Sequence, residues 1–327
     1  MTTATKAKRT RRAKKTRAEA ANARSGAAAS GGWKLRGAGG LKVLEAPALA
    51  TLTWLTHGFS TRLGGESEPP AAKGKSAERV LNLGFTDWDE RERVLANREK
   101  FSRALGAEKM CPVVLRQIHS DIAYAVTAER PANGEAPKAD ALFTREPGAL
   151  LVVQTADCVP ILLADTKRRA VAAVHSGWRG TLRRIAAKTL GRMRMEFGTR
   201  PEDVVAALGP SIGQCCYEVG SDVAKEFHAK FRDARDWFDG PFDALASGEN
   251  DPNWLPWLTM RPPGHPPPPP TVQLDLIAAN CAILEEAGVR RANISASGLC
   301  TGCRTDLFFS YRRENPTGRM MAAIAIR

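Results

Sequence analysis

The chain has 327 residues, 43% of them hydrophobic, and a formal net charge of +13. That length buries a sizeable core as one large unit or two smaller ones. No run of eighteen apolar residues offers a membrane span, and no apolar h-region follows the basic start as a secretory signal requires.

The seven cysteines (Cys111, Cys158, Cys215, Cys216, Cys281, Cys300 and Cys303) are odd in number and irregularly spaced, which fits a reduced, cytoplasmic protein. The charge is concentrated at one end. Residues 1–40 carry eleven Lys and Arg against Glu19 alone, so this tail holds +10 and the body only +3. Its Ala-rich basic composition predicts a disordered segment, suited at most to weak, non-specific contact with nucleic acid phosphates.

Along the body, Leu41 to Glu45 and Leu52 to Phe59 read as strands, the second running into His57-Gly58-Phe59-Ser60-Thr61-Arg62. Arg62 offers a rigid fork of donors for a carboxylate or phosphate. A polar loop over 66–77 precedes a short strand end, Val80 to Gly84. A helix is predicted over Asp89 to Leu105 with Val94, Leu95, Phe101 and Leu105 as its inner face, Gly106 capping it. Val113 to Ile118 reads as a strand closing on His119, and in an extended chain Gln117 and His119 share a face. Residues 130–138 read as a loop.

The stretch from Leu150 to Thr181 organises the rest. Leu151 to Thr155, Val159 to Ala164 and Ala170 to Val174 are apolar, β-branched runs of the kind that make fully buried strands, with Asp165 to Arg169 as a turn. Cys158 and His175 stand where apolar runs stop, and their ends should lie close together. Pro160 cannot donate to a ladder and implies a kink at Cys158, which Asp157 would fix. Ser176-Gly177-Trp178-Arg179-Gly180-Thr181 is a small-residue turn feeding a helical pattern (Leu182, Ile185, Ala186, Leu190, Met193), where free N–H groups and Arg179 favour an anion.

Beyond it come a strand (Val204 to Leu208), a glycine-bearing turn over 209–219 and a helix over Ser221 to Phe231. The Pro-rich segment 239–271 reads as an exposed insertion. A helix (Leu274 to Ala287), a strand (Ile294 to Leu299), the polar turn Cys300 to Cys303 and a last buried strand (Met320 to Ile326) complete the chain.

Of the five histidines, His228 falls in a predicted helix and His265 in the proline stretch, whereas His57, His119 and His175 sit at strand ends. His119, Cys158 and His175 make a two-imidazole, one-thiolate set that satisfies tetrahedral zinc and leaves a fourth position open. The same residues equally suit a core of two buried histidines and a cysteine. His57 suits a hydrogen-bonded structural role, and Asp140 is a weak acid/base candidate.

The motifs HGFSTR at 57–62, QIHS at 117–120, ADAL at 139–142, TADC at 155–158, AVHSGWRG at 173–180, GPSI at 209–212, FFSYRR at 308–313 and GRM at 318–320 occur in this order. Together they resemble the YfiH/YlmD family, which carries the labels polyphenol oxidase and laccase domain and is known for zinc-dependent purine nucleoside phosphorylase and adenosine deaminase activity. The resemblance covers nearly all of 41–327 and implies a single catalytic domain there. It also implies an α+β layered sandwich of two mixed β-sheets flanked by helices, and zinc on His119, Cys158 and His175. The implied substrates are purine nucleosides (adenosine, inosine, S-methyl-5'-thioadenosine) with phosphate. Arg62, Arg179 and Gln117 are the candidates for handling substrate. Among rivals, a multicopper oxidase needs many imidazoles in H-x-H pairs, and the chain has none. A cysteine-dependent hydrolase would use Cys158 and His175. A zinc deaminase of the H-x-E and P-C-x-x-C type is excluded, because neither motif is present.

Overall fold

Strands covered on both faces need no polar alternation, and the longest apolar runs of this chain become such strands in the computed structural model, which describes residues 32–69, 78–127, 136–247 and 271–327. One six-stranded sheet has the order β1 (Lys34–Ala38), β2 (Leu41–Glu45), β3 (Leu55–Ser60), β16 (Met320–Ile326), β8 (Ala149–Thr155), β5 (Cys111–Val113). The other runs β15 (Ile294–Ala296), β11 (Val204–Leu208), β9 (Val159–Asp165), β10 (Ala170–Ser176), β7 (Ala141–Thr144), β6 (Ala123–Ala125). Both are mixed: β5·β8, β11·β15 and β6·β7 are parallel and the remaining pairs antiparallel. A small sheet of β12 (Glu218–Gly220), β14 (Thr271–Leu274) and β13 (Phe238–Asp239) lies beside them, and β4 (Leu63–Ser67) follows β3.

The two large sheets face each other across Leu151, Val153, Ala322 and Ile324 on one side and Leu162, Ala164, Val171 and Ala173 on the other. Alternate residues of the same strands point outward. Leu150, Val152 and Ala323 pack on Phe101 and Leu105 at the end of the helix Arg91–Ala104. Ile161, Leu163 and Ala172 pack among residues of the helices Ile185–Phe197 and Leu276–Glu286. The layers are thus helix, sheet, sheet, helix, the α+β sandwich of two mixed sheets that the resemblance implies. No helix among the described residues is long and apolar enough to cross a membrane.

Several expectations are corrected. The disordered segment expected over 1–40 is cut short, because β1 pairs antiparallel with β2, its exposed Lys34 and Arg36 marking an outer edge; residues 1–31 lie outside the described residues. Leu95 is 42% exposed, and Asn97 takes the inner face instead, bonding to Ser67 Oγ and the Asn82 carbonyl. The strand expected over Val113 to Ile118 ends at Val113, leaving only a bridge between Arg116 and Lys138. The helix expected from Leu182 is broken, since Arg184 adopts the left-handed conformation between the helices Trp178–Leu182 and Ile185–Phe197. The Pro-rich insertion starts later than residue 239: Phe242 is 1% exposed, stacks on Phe238 and opens the helix Phe242–Ser247, while 248–270 lie outside the described residues.

His57 is structural. It is 5% exposed on β3, and its Nε2 accepts the Ala46 N–H at 3.0 Å, so the ring is neutral. Burial pushes its pKa down from 6.5 to about 4, against an upward pull from Glu45. Between those values the unfolded chain binds the proton and the native one does not, so stability falls as pH drops through this window, by on the order of 3 kcal/mol from this group. Urea midpoints measured at pH 7 and pH 4.5 should therefore drop more for the parent protein than for His57→Gln, which keeps an acceptor but cannot titrate.

Candidate metal centre

Antiparallel pairing of β9 with β10 sets the first two donors. The register places His175 opposite Pro160, so Cys158, just before β9, comes beside the end of β10. Asp157 leaves the ladder with φ 86°, and its groups hold the kink. Its Oδ1 accepts the Thr301 hydroxyl at 2.6 Å, its Oδ2 accepts the Arg312 N–H at 2.7 Å and its carbonyl accepts the Ile212 N–H at 2.8 Å.

His119 arrives from outside the sheets. It sits at φ 56°, so the extended geometry expected of Gln117 and His119 does not hold. The Gln117 amide pairs at both ends with the backbone of Gln154, its Nε2 donating to the carbonyl at 2.8 Å and its Oε1 accepting the N–H at 2.7 Å. Gln117 thereby continues the edge of β8 and fixes where the next two residues start.

Asp140 completes the assembly. Fully buried, it accepts the N–H groups of Ile118, His119 and Ser120 (3.2, 3.0 and 2.6 Å), the Ser120 hydroxyl (2.7 Å) and Nδ1 of His175 (2.8 Å). Burial alone would raise its pKa; the bonds from His175 and Ser120 outweigh it and hold the carboxyl at about 2. One carboxylate therefore orients the His175 imidazole and anchors the His119 backbone, and binding Nδ1 of His175 leaves its Nε2 to face the site, an arrangement common behind metal-bound histidines.

The donor atoms of His119, Cys158 and His175 all lie within 4.8 Å of one another, with Cys158 Sγ 4.0 Å from His119 Nε2 and the two imidazoles edge to face. Burial would push the Cys158 thiol up, but the charge of His175 and a hydrogen bond with His119 bring it down to about 6; His175 is correspondingly raised to about 9 by the thiolate and Asp140, against its own burial. A ready thiolate and two convergent imidazoles fit a metal ion. Exposed His119 and buried His175 define an open and a closed side.

Arg179 is exposed, its guanidinium 4.3 Å from the Trp178 ring. Arg62 is committed elsewhere: it pairs with Glu314 at 2.7 Å, donates to the Thr305 carbonyl and lies over Phe309. Tyr217, with Arg312 over its ring, was not singled out by the sequence; burial raises its phenol pKa, and it senses the charges of Cys158 and Arg179. Only its position after the glycine turn could have drawn notice.

Residues 56–327 match the family model described as Multi-copper polyphenol oxidoreductase laccase. A purine nucleoside phosphorylase of Deinococcus radiodurans is 38% identical over 288 residues, 88% of this chain and 94% of that protein. The purine nucleoside phosphorylase YlmD of Geobacillus stearothermophilus is 33% identical over 83% of this chain and 89% of its own length. Among solved structures, the Bacillus licheniformis hypothetical protein YfiH superposes with a TM-score of 0.73 at 30% identity, covering 90% of this chain and 99% of that one. The chain belongs to this laccase-like family, the one that includes YfiH and YlmD.

Proposed function

We propose that the protein is a zinc-dependent purine nucleoside phosphorylase that also deaminates adenosine. The observation that carries the reading is the convergence of His119, Cys158 and His175 around one point, in a chain that spans nearly the full length of relatives named purine nucleoside phosphorylase. The substrates are adenosine, inosine and S-methyl-5'-thioadenosine, with phosphate as the second reactant.

Two imidazoles and one thiolate suit zinc and leave a fourth position for a ligand. Zinc held there supplies Lewis acidity at the open side of the site. The chain's own residues do the rest. Asp140 keeps His175 in the tautomer whose Nε2 faces inward, and Gln117 and Asp140 fix the His119 loop. Phosphorolysis needs an anion held against the anomeric carbon while the purine departs, and electrostatic positioning supplies most of such catalysis. Arg179 takes that role rather than Arg62, whose charge Glu314 already balances. Gly177 brings this segment against the donors: a Cβ there would lie 2.9 Å from Cys158 Sγ and 3.3 Å from His119 Cδ2.

A cysteine-dependent hydrolase using Cys158 and His175 is the alternative, which the relatives named purine nucleoside phosphorylase do not favour. Incubating the purified enzyme with adenosine separates the two proposed activities: adenine formed only when phosphate is present indicates phosphorolysis, and inosine formed without phosphate indicates deamination. A His119→Ala protein should lose both bound zinc and both products; retention of zinc and turnover together would refute the assignment. Gly177→Ala should keep the far-ultraviolet spectrum while kcat falls roughly a hundredfold, since displacement of a donor by about 1 Å has that effect. Asp140→Asn should weaken zinc affinity about 10- to 100-fold in a chelator competition, and lower thermal stability because one of its carboxylate acceptors becomes a donor facing donors.

A further inference from the structure

A second cluster of soft donors lies away from the His119 site. Cys215 and Cys216 stand in the one-turn helix Gln214–Cys216, and Cys300 and Cys303 flank the turn at the end of the 294–300 segment. Their four sulfurs all lie within 4.8 Å of one another. Three of the separations are 3.4 Å (Cys215 to Cys303), 3.5 Å (Cys216 to Cys303) and 3.9 Å (Cys215 to Cys216). A tetrahedron of sulfurs at about 2.3 Å from a central zinc has edges of about 3.8 Å.

We propose that Cys215, Cys216, Cys300 and Cys303 form a tetrathiolate site for zinc, separate from the centre at His119. Five features argue for a metal over an oxidised pair. A disulfide joins two sulfurs, whereas here four converge, and Cys300-x-x-Cys303 has the spacing of a metal knuckle. The sulfurs already act as acceptors: the Gly213 N–H points at Cys300 Sγ from 3.1 Å and Arg313 Nη2 at Cys216 Sγ from 3.2 Å, donors that would offset the charge of a tetrathiolate. The two loops are packed so closely that a Cβ on Gly302 would meet Cys216 Cβ at 2.9 Å, and one on Gly213 would meet Cys300 Cβ at 3.2 Å. Cys215 and Cys303 are exposed, so an ion has an entry path.

The site would brace the catalytic turn. The two cysteine loops are joined by the Ser211–Cys300 bridge, and the Thr301 N–H donates to the Ser211 carbonyl at 3.0 Å. Ile212 and Thr301 both bond to Asp157, the neighbour of Cys158. Zinc across the two loops locks the frame from which Cys158 is presented.

Zinc content of the full chain, purified without chelator, tests this. We expect two equivalents per chain in the parent protein, with one lost in Cys300→Ser/Cys303→Ser and the other lost in His119→Ala. Failure of the catalytic reading alone would leave the zinc that survives in His119→Ala. Because the double variant can fail to fold, cobalt(II) is also exchanged into His119→Ala, where an intense sulfur-to-cobalt absorption typical of four thiolates is expected. Zinc wholly lost in His119→Ala, or unreduced denatured parent protein in which these cysteines resist alkylation as disulfides, would overturn the proposal.

Discussion

The buried carboxylate of Asp140 is the constraint on which the site depends. A charge with no exposure is tolerated only when its lone pairs are satisfied, and five donors meet this one: three consecutive backbone N–H groups, the Ser120 hydroxyl and the His175 ring. The His175 N–H also donates to the Asp140 carbonyl. The residue therefore joins an irregular loop to a central strand, two segments that share no ladder. Hydrogen bonds to a charged group contribute roughly 1.5–3 kcal/mol each, enough to hold His119 in a left-handed conformation that a non-glycine residue otherwise avoids.

Asp157 plays the complementary part on the other side of the site. Where Asp140 gathers the histidines, Asp157 gathers the loops around Cys158, accepting from Thr301 and Arg312. Both aspartates lie at ends of strands in the sheet that carries His175, β7 beginning after Asp140 and β9 after Cys158. That sheet is packed on both faces, so its strand ends are fixed points. Three donors from three segments can then converge with little reorganisation, because the rigid part of the fold sets two of them and a single carboxylate refers the third to it.

The central strands were legible in the sequence because burial on both faces leaves continuous apolar runs, and β9, β10, β11 and β16 lie where such runs predict. The pairing of Cys158 with His175 followed from the same reading, since a short turn between two strands returns the chain antiparallel. What the sequence hid was long-range. β1 is polar and glycine-bearing, held through its backbone to β2, and composition gives no sign of that. Gln117 looks like a substrate ligand until its amide is seen paired with the backbone of Gln154. Asp140 reads locally as one acid in a run of small residues; its weight comes from donors some twenty and thirty-five positions away. Arg62 similarly reads as an anion holder because its partner, Glu314, is 252 residues distant.

The donor inventory also bears on the copper in the family's description. A thiolate with two imidazoles is a set that copper accepts as well as zinc, so the His119 cluster by itself does not decide between them. Multi-copper oxidation needs further imidazole-rich sites within electron-transfer reach, and the sequence holds three histidines besides His119 and His175, none of them in an H-x-H pair. His57 is spent on the Ala46 N–H inside β3, His228 is exposed on a helix against Phe242, and His265 lies outside the described residues. The other convergent set among the described residues is all sulfur. A fold hosts many chemistries, and the site decides among them; here three donors converge at one point in the described residues and no H-x-H pair stands in the sequence, a set too sparse for the four-electron chemistry of a copper cluster.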